Sequence, residues 1–332
     1  MEIKNRTTVV VLAMIVVGSA LTAGYFVATS TQPEETTVYP RLPHSPISIE
    51  EASDFTPANS SIGCACVLAG SGSSTDPYVI AGWSINASKT NGISVTSVDE
   101  HFIITQVTIS DATERNVGIR LERVSSGKVS NSTISGTFLA FFVLESRKVA
   151  IVDNIVSNSE YGIMLEASNS NTVSDNNLNN IGQVSIFVRG SDNLIEENSI
   201  EGGFGGINID GTAGPANRNT ARSNQVRHAG AYGISLWRAH NNTIVGNMVA
   251  DSAGDGILIT EASSDNLIES NEVRRNGGDG VVITEQSSGN VVQRNVVKGN
   301  GDGVGSFDLH SKASDNVWTG NAFETKEPDS LE

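Results

Sequence analysis

Cysteine is nearly missing from this chain: Cys64 and Cys66 are the only two in 332 residues. That excludes a scaffold built on disulfides, which needs several bridges spread along the sequence. Basic residues are also scarce, 21 Lys and Arg against 37 Asp and Glu, for a formal charge of −16. A surface with that deficit does not neutralise a phosphate backbone, so nucleic acid is excluded as a partner. Helical periodicity is absent outside the N-terminus, and long apolar runs are absent except for one, Thr7 to Ala28. The bulk of the chain therefore has neither the pattern of a helical protein nor a second membrane span.

What is there instead is a repeated phrase of two asparagines five positions apart around an apolar filling. It reads NTVSDN, NLIEEN, NTARSN, NTIVGN, NLIESN, NVVQRN and NVWTGN. The leading residues are Asn171, Asn193, Asn219, Asn242, Asn266, Asn290 and Asn316, and the trailing ones Asn176, Asn198, Asn224, Asn247, Asn271, Asn295 and Asn321. Successive leading positions differ by 22, 26, 23, 24, 24 and 26 residues, the signature of a stacked repeat protein.

A second mark runs in step, a small residue followed by apolar, any, apolar, as in Gly118-Ile119-Arg120-Leu121 and Gly233-Ile234-Ser235-Leu236, with Ala140 and Ser185 in the glycine position of two copies. Alternation with period two and β-branched residues predicts strands, so each unit reads as strand, turn, strand, turn. Two short strands cannot bury their apolar side alone, whereas stacked units form long parallel sheets around one core. The fold class is all-β, a parallel β-helix of about ten coils over 92–323. The paired asparagines are expected to mark the bends, tolerating left-handed backbone and bonding to one another coil to coil.

The ends divide the rest. Lys4 and Arg6 precede the uncharged stretch 7–28, which has the length of a membrane-spanning helix and predicts a signal anchor over 1–29. This places the N-terminus in the cytoplasm and the remainder outside a cell membrane, with secretion after cleavage near Ala23 or Ala28 as the alternative. Residues 30–46, with four prolines, read as an extended linker, 47–91 as an N-terminal cap and 324–332 as a polar tail. Cys64 and Cys66, two residues apart, would close a very small ring, so buried thiols are expected, with disulfides between molecules and a two-sulfur copper or zinc site as the alternatives.

Residues at equal offsets from the small residue stack into stripes. Phe142, Met164 and Phe187, joined by Leu144, form an apolar stripe facing away from the core. Beside it run Glu166, Arg189, Asp210, Trp237 with Arg238, then Glu261 and Glu285, with a long loop, GTAGPAN, after Asp210. An indole among alternating charges suits sugar, which stacks its apolar ring faces and bonds its hydroxyls. Arg189, Asp210, Trp237 and Arg238 are therefore the candidate ligand-binding residues. Glu166 and Asp210 are weak catalytic candidates, because Arg189 is expected to stand between them. Asn208-Ile209-Asp210-Gly211 is similar to a polygalacturonase Asn-x-Asp-Gly motif, but the further motifs of that family are missing. Asp255, Asp279 and Asp302 recur in Gly-Asp-Gly segments, which read as turns, with calcium as the alternative.

The block AGSGSSTDPYVIAGWSI, residues 69–85, followed by these repeats, resembles the opening segment of archaeal exported proteins of the NosD-like family, through Gly70, Gly72, Asp76, Pro77, Tyr78, Ile80, Gly82, Trp83 and Ile85. The resemblance implies a right-handed parallel β-helix at the cell surface. It also implies carbohydrate binding or sugar hydrolysis, and a link to copper delivery. A copper site needs clustered His, Met or Cys, and the five histidines are scattered. The function expected is binding or scaffolding of surface glycans, or of another surface protein, without a cofactor. A polysaccharide hydrolase or lyase is the first alternative and a copper-delivery accessory the second.

Overall fold

The structure is a computed structural model that describes residues 16–17, 20–21, 37–55, 65–112, 115–301, 305–328 and 331. It divides into two units, Met1–Val38 and Tyr39–Glu332. In the first unit the expected membrane helix over 7–28 lies almost wholly outside the described residues. The four of its residues that are described form two strands, Val16–Val17 and Ala20–Leu21, paired antiparallel. Among the described residues no helix is long and apolar enough to cross a membrane.

The second unit is the expected parallel β-helix, with three strands per coil where the repeat pattern predicts two. One coil shows the plan: Thr172–Ser174 in sheet 1, Asn177–Asn179 in sheet 2 and Val184–Arg189 in sheet 3. Sheets 1, 2 and 3 contain twelve, eleven and twelve strands among the described residues. Each strand pairs in parallel with its equivalents one coil away, apart from an antiparallel pair at the start of sheet 1. Most sheet-2 strands are only three residues long with a single buried residue, such as Leu178 or Ile200, so no alternation announces them. Pairing begins at Leu42–His44, which joins Trp83–Asn86, inside the stretch that reads as a linker.

The core is one continuous column. Ile119, Phe141, Ile163, Ile186, Ile207, Ile234 and Ile257 stack in register along sheet 3, almost completely buried. Burying each such side chain contributes about 1.5–3 kcal/mol. The small residue before each of them has a steric reason. A Cβ on Gly233 would lie 2.1 Å from Val249 Cγ1 and 2.8 Å from the Gly256 carbonyl oxygen, so the sheet-3 strand could not close on sheet 2.

The paired asparagines form two buried ladders. Asn171 Nδ2 donates to Asn193 Oδ1 (3.1 Å), and the same bond recurs coil by coil to Asn316. The trailing set repeats it from Asn154 through Asn176 to Asn321. The expectation of left-handed backbone is displaced by one position. Ser170, Asp192, Arg218, Asn241 and Asp265, each just before a leading asparagine, have φ between 56° and 61°. The residue before turns the corner, and the asparagine side chain, directed inward, bonds the backbone that the corner exposes.

Candidate functional site

Alternation in sheet 3 puts Ile207 and Ile209 in the core and sends Asn208 outward, and does the same for Ser235 between Ile234 and Leu236. Register then aligns Phe142, Met164, Phe187, Asn208, Ser235 and Leu258 in one outward row. A parallel row holds Leu144, Glu166, Arg189, Asp210, Trp237 and Thr260. The apolar stripe and the charged stripe are thus adjacent columns of the same face.

Arg189 is the hub of the second column. Its Nη1 donates to Glu166 Oε2 (3.3 Å) and its Nη2 to Asp210 Oδ2 (3.1 Å), while the guanidinium lies 4.8 Å from the centre of the Phe187 ring. Asp210 Oδ1 accepts the Thr212 N–H at 2.7 Å, which starts the long loop after this strand, and Gly211 N–H donates to the Trp237 carbonyl. Glu166 and Asp210 are therefore engaged by one arginine between them rather than open to each other across a gap. Arg238 stands beside Trp237 and donates to Glu261 (3.1 Å).

The first column changes character at Asn208. Gly205 leaves room for the Tyr232 ring, whose atoms a Cβ there would meet at 2.6 Å, and Asn208 Nδ2 donates to the Tyr232 hydroxyl (3.0 Å). Asn208 is 5% exposed and Ser235 fully buried although both point away from the core. Four buried polar atoms on this face have no hydrogen-bond partner: Arg189 Nε, Asn208 Oδ1, Ser235 Oγ and Trp237 Nε1. Buried polar atoms are almost always paired, so a group of four on three successive coils makes this face the candidate site. The sequence pattern points to Arg189 and Trp237 but passes over Asn208, Ser235 and Tyr232. The signal was the apolar stripe itself, which turns polar two coils above Met164.

Further along the face Asp279 Oδ2 is 2.8 Å from His310 Nδ1, its Oδ1 accepts the Phe307 N–H, and its own N–H donates to Asp255 Oδ1. Burial pushes the Asp255 carboxyl above its ordinary range, opposed by the Asp279 N–H bond. Asp255 is the first residue of a sheet-3 strand, Asp279 lies two residues before the next, and Asp302 lies outside the described residues. Thr260, Glu261, Thr284, Glu285, Gln286 and Lys312 line an open depression of about 340 Å³ at this end. A larger cavity, about 650 Å³, lies beyond the last coil around Trp318 and Leu331, away from both columns.

No three His, Cys, Asp or Glu side chains among the described residues could hold a metal ion. Cys66 is fully buried and disulfide-bonded, which corrects the expectation of a thiol there; Cys64 lies outside the described residues. His310 is committed to Asp279. The residues described do not fit copper.

Three parallel sheets around one apolar core define a parallel β-helix, and the outer side of sheet 3 covers a group of buried polar atoms without partners. Residues 161–323 match the family described as right-handed beta helix region, and residues 59–214 that described as periplasmic copper-binding protein (NosD). The chain is a NosD-like right-handed β-helix repeat protein. No curated protein matches it. Among solved structures it is similar to the A-module of the mannuronan C-5 epimerase AlgE6 of Azotobacter vinelandii, with TM-score 0.67 and 11% identity over 86% of this chain and 85% of that one. The A-module of AlgE4 from the same organism gives TM-score 0.52 at 10% identity, covering 80% of this chain and 88% of that one. The tailspike of E. coli bacteriophage HK620, in complex with pentasaccharide, gives TM-score 0.54 at 10% identity, covering 72% of this chain and 55% of that one. At these identities the likeness establishes the fold.

Proposed function

We propose that this protein binds glycans on the outer face of sheet 3, centred on Arg189, Asn208, Asp210, Ser235 and Trp237, and is displayed outside the cell after export through residues 7–28. The observation that carries the reading is the group of four unpartnered polar atoms beside the Phe187, Tyr232 and Trp237 rings. Sugars need that combination: aromatic surface for their C–H faces and polar atoms for their hydroxyls. These atoms are buried beneath the face, and sugar hydroxyls meet them, directly or through water, where the covering side chains shift on binding. The named chemistry of the structural neighbours, mannuronan epimerisation and pentasaccharide binding, supports glycan as the ligand class.

The face favours binding over hydrolysis because Glu166 and Asp210 are both held by Arg189. A glycan array combined with pull-down from cell envelope tests the reading. Saturable binding that weakens about tenfold or more in Trp237→Ala, with an unchanged melting temperature, is expected. Absence of saturable sugar binding would sink it.

A further inference from the structure

We infer that the sheet-3 face takes an uncharged polysaccharide and rejects polyuronates, a statement about ligand class that rests on the glycan reading above. The hydrogen-bonding character of the unpartnered atoms comes first. Arg189 Nε and Trp237 Nε1 can only donate, Asn208 Oδ1 can only accept, and Ser235 Oγ does both. A sugar hydroxyl both donates and accepts, so once the covering side chains shift a hydroxyl-rich chain can satisfy all four of these buried atoms. A carboxylate accepts only, and placed here it leaves Asn208 Oδ1 facing a second acceptor.

Charge points the same way. A bound carboxylate wants a guanidinium with its fork free. The arginines described on this face already pair with acids of the protein: Arg120 with Glu122 (2.5 Å), Arg123 with Glu122 and Glu145, Arg189 with Glu166 and Asp210, and Arg238 with Glu261. Asp255 and Glu285, on the same side, have no ion-pair partner among the described residues. Lys312 stands in the depression with Glu261 and Glu285. A polyuronate laid along the columns would repeat one negative charge per sugar over a chain of formal charge −16. Neutral sugars carry no such penalty, and they gain the same stacking on the aromatic rings.

The test uses the full chain in isothermal titration against two sets of hexasaccharides of equal length. Glucose, mannose and galactose oligomers form one set, and mannuronate and galacturonate oligomers the other. At least one neutral oligomer is expected to bind with Trp237-dependent affinity, and the uronates about tenfold or more weaker, the gap narrowing as salt screens the repulsion. The double variant Glu166→Gln, Asp210→Asn releases the Arg189 fork while the new amide at position 210 retains an oxygen for Thr212, and is expected to gain uronate affinity about tenfold at low salt. Uronate binding by the unaltered chain as tight as neutral binding, and sensitive to Trp237→Ala, overturns the inference while the glycan reading stands. If neither set binds, the glycan reading falls and the inference with it.

Discussion

Asn198 and Asn208 lie on the same turn of the β-helix, ten residues apart and both buried, yet their amides live in opposite circumstances. Asn198 Oδ1 accepts from the backbone and side chain of Asn176, and its Nδ2 donates to Val173, Glu196 and Asn224. Asn208 donates once, to Tyr232, and its oxygen has no partner. The ladder closes every bond within the protein, which is what a structural polar group does in a low-dielectric interior. The outer face leaves bonds unmade, which is why the proposed ligand is placed there.

The contrast can be broken by measuring what each residue type costs in its two settings. Asn198→Ala should destabilise most, by about 3–5 kcal/mol in urea unfolding, because it strands the Asn176 amide and several carbonyls inside the core. Gly233→Ala should come next, about 1–3 kcal/mol, since its new methyl group meets Val249 at the closest approach of two sheets. Gly205→Ala meets the Tyr232 side chain first, which can shift; it should cost about 1 kcal/mol or less but weaken sugar binding by losing the Tyr232 bond to Asn208. Asn208→Ala should change stability by about 1 kcal/mol or less while lowering glycan affinity about tenfold. A stability loss at Asn208 equal to that at Asn198 would abolish the distinction drawn here.

The smallest expected effect is pH-dependent. Burial raises the folded-state Asp255 carboxyl above its unfolded value, so between those values the folded state holds more protons. Its contribution is therefore a destabilisation that sets in as pH rises through the unfolded value towards the folded one and vanishes in acid below the ordinary carboxylate range. Asp255→Asn, which retains an oxygen for the Asp279 N–H, should raise the melting temperature slightly at neutral pH, with the gain shrinking on acidification. A gain independent of pH would mean that the charge is not the cause.

The column of isoleucines, the small residues beside them and the asparagine ladders were legible because each repeats with the coil, and repetition converts sequence spacing into spatial contact. Arg189, Asp210 and Trp237 were legible for the opposite reason: they interrupt a stripe. Three things were not. The sheet-2 strands, such as Asn177–Asn179 and Ser199–Glu201, offer one inward residue each, too few for a period. The left-handed corner falls on Ser170, Asp192 or Arg218, residues with no common chemistry, because any side chain that points to solvent serves there. Asn208 stood out only as the first residue of the Asn-x-Asp-Gly segment, and its burial and unpaired oxygen had no mark in the sequence.

Side-chain periodicity was enough to set the class of fold and the register of the coils, since both follow from apolar alternation and from amides that need neighbours one coil away. It was also enough to say which residues share a stripe. Which polar groups on that stripe are satisfied was settled in three dimensions. Glu166, Arg189 and Asp210 close on one another, while Asn208 and Ser235 end buried and partly unbonded. Hydrogen-bond satisfaction depends on distances between three coils at once, and no one-dimensional spacing contains them.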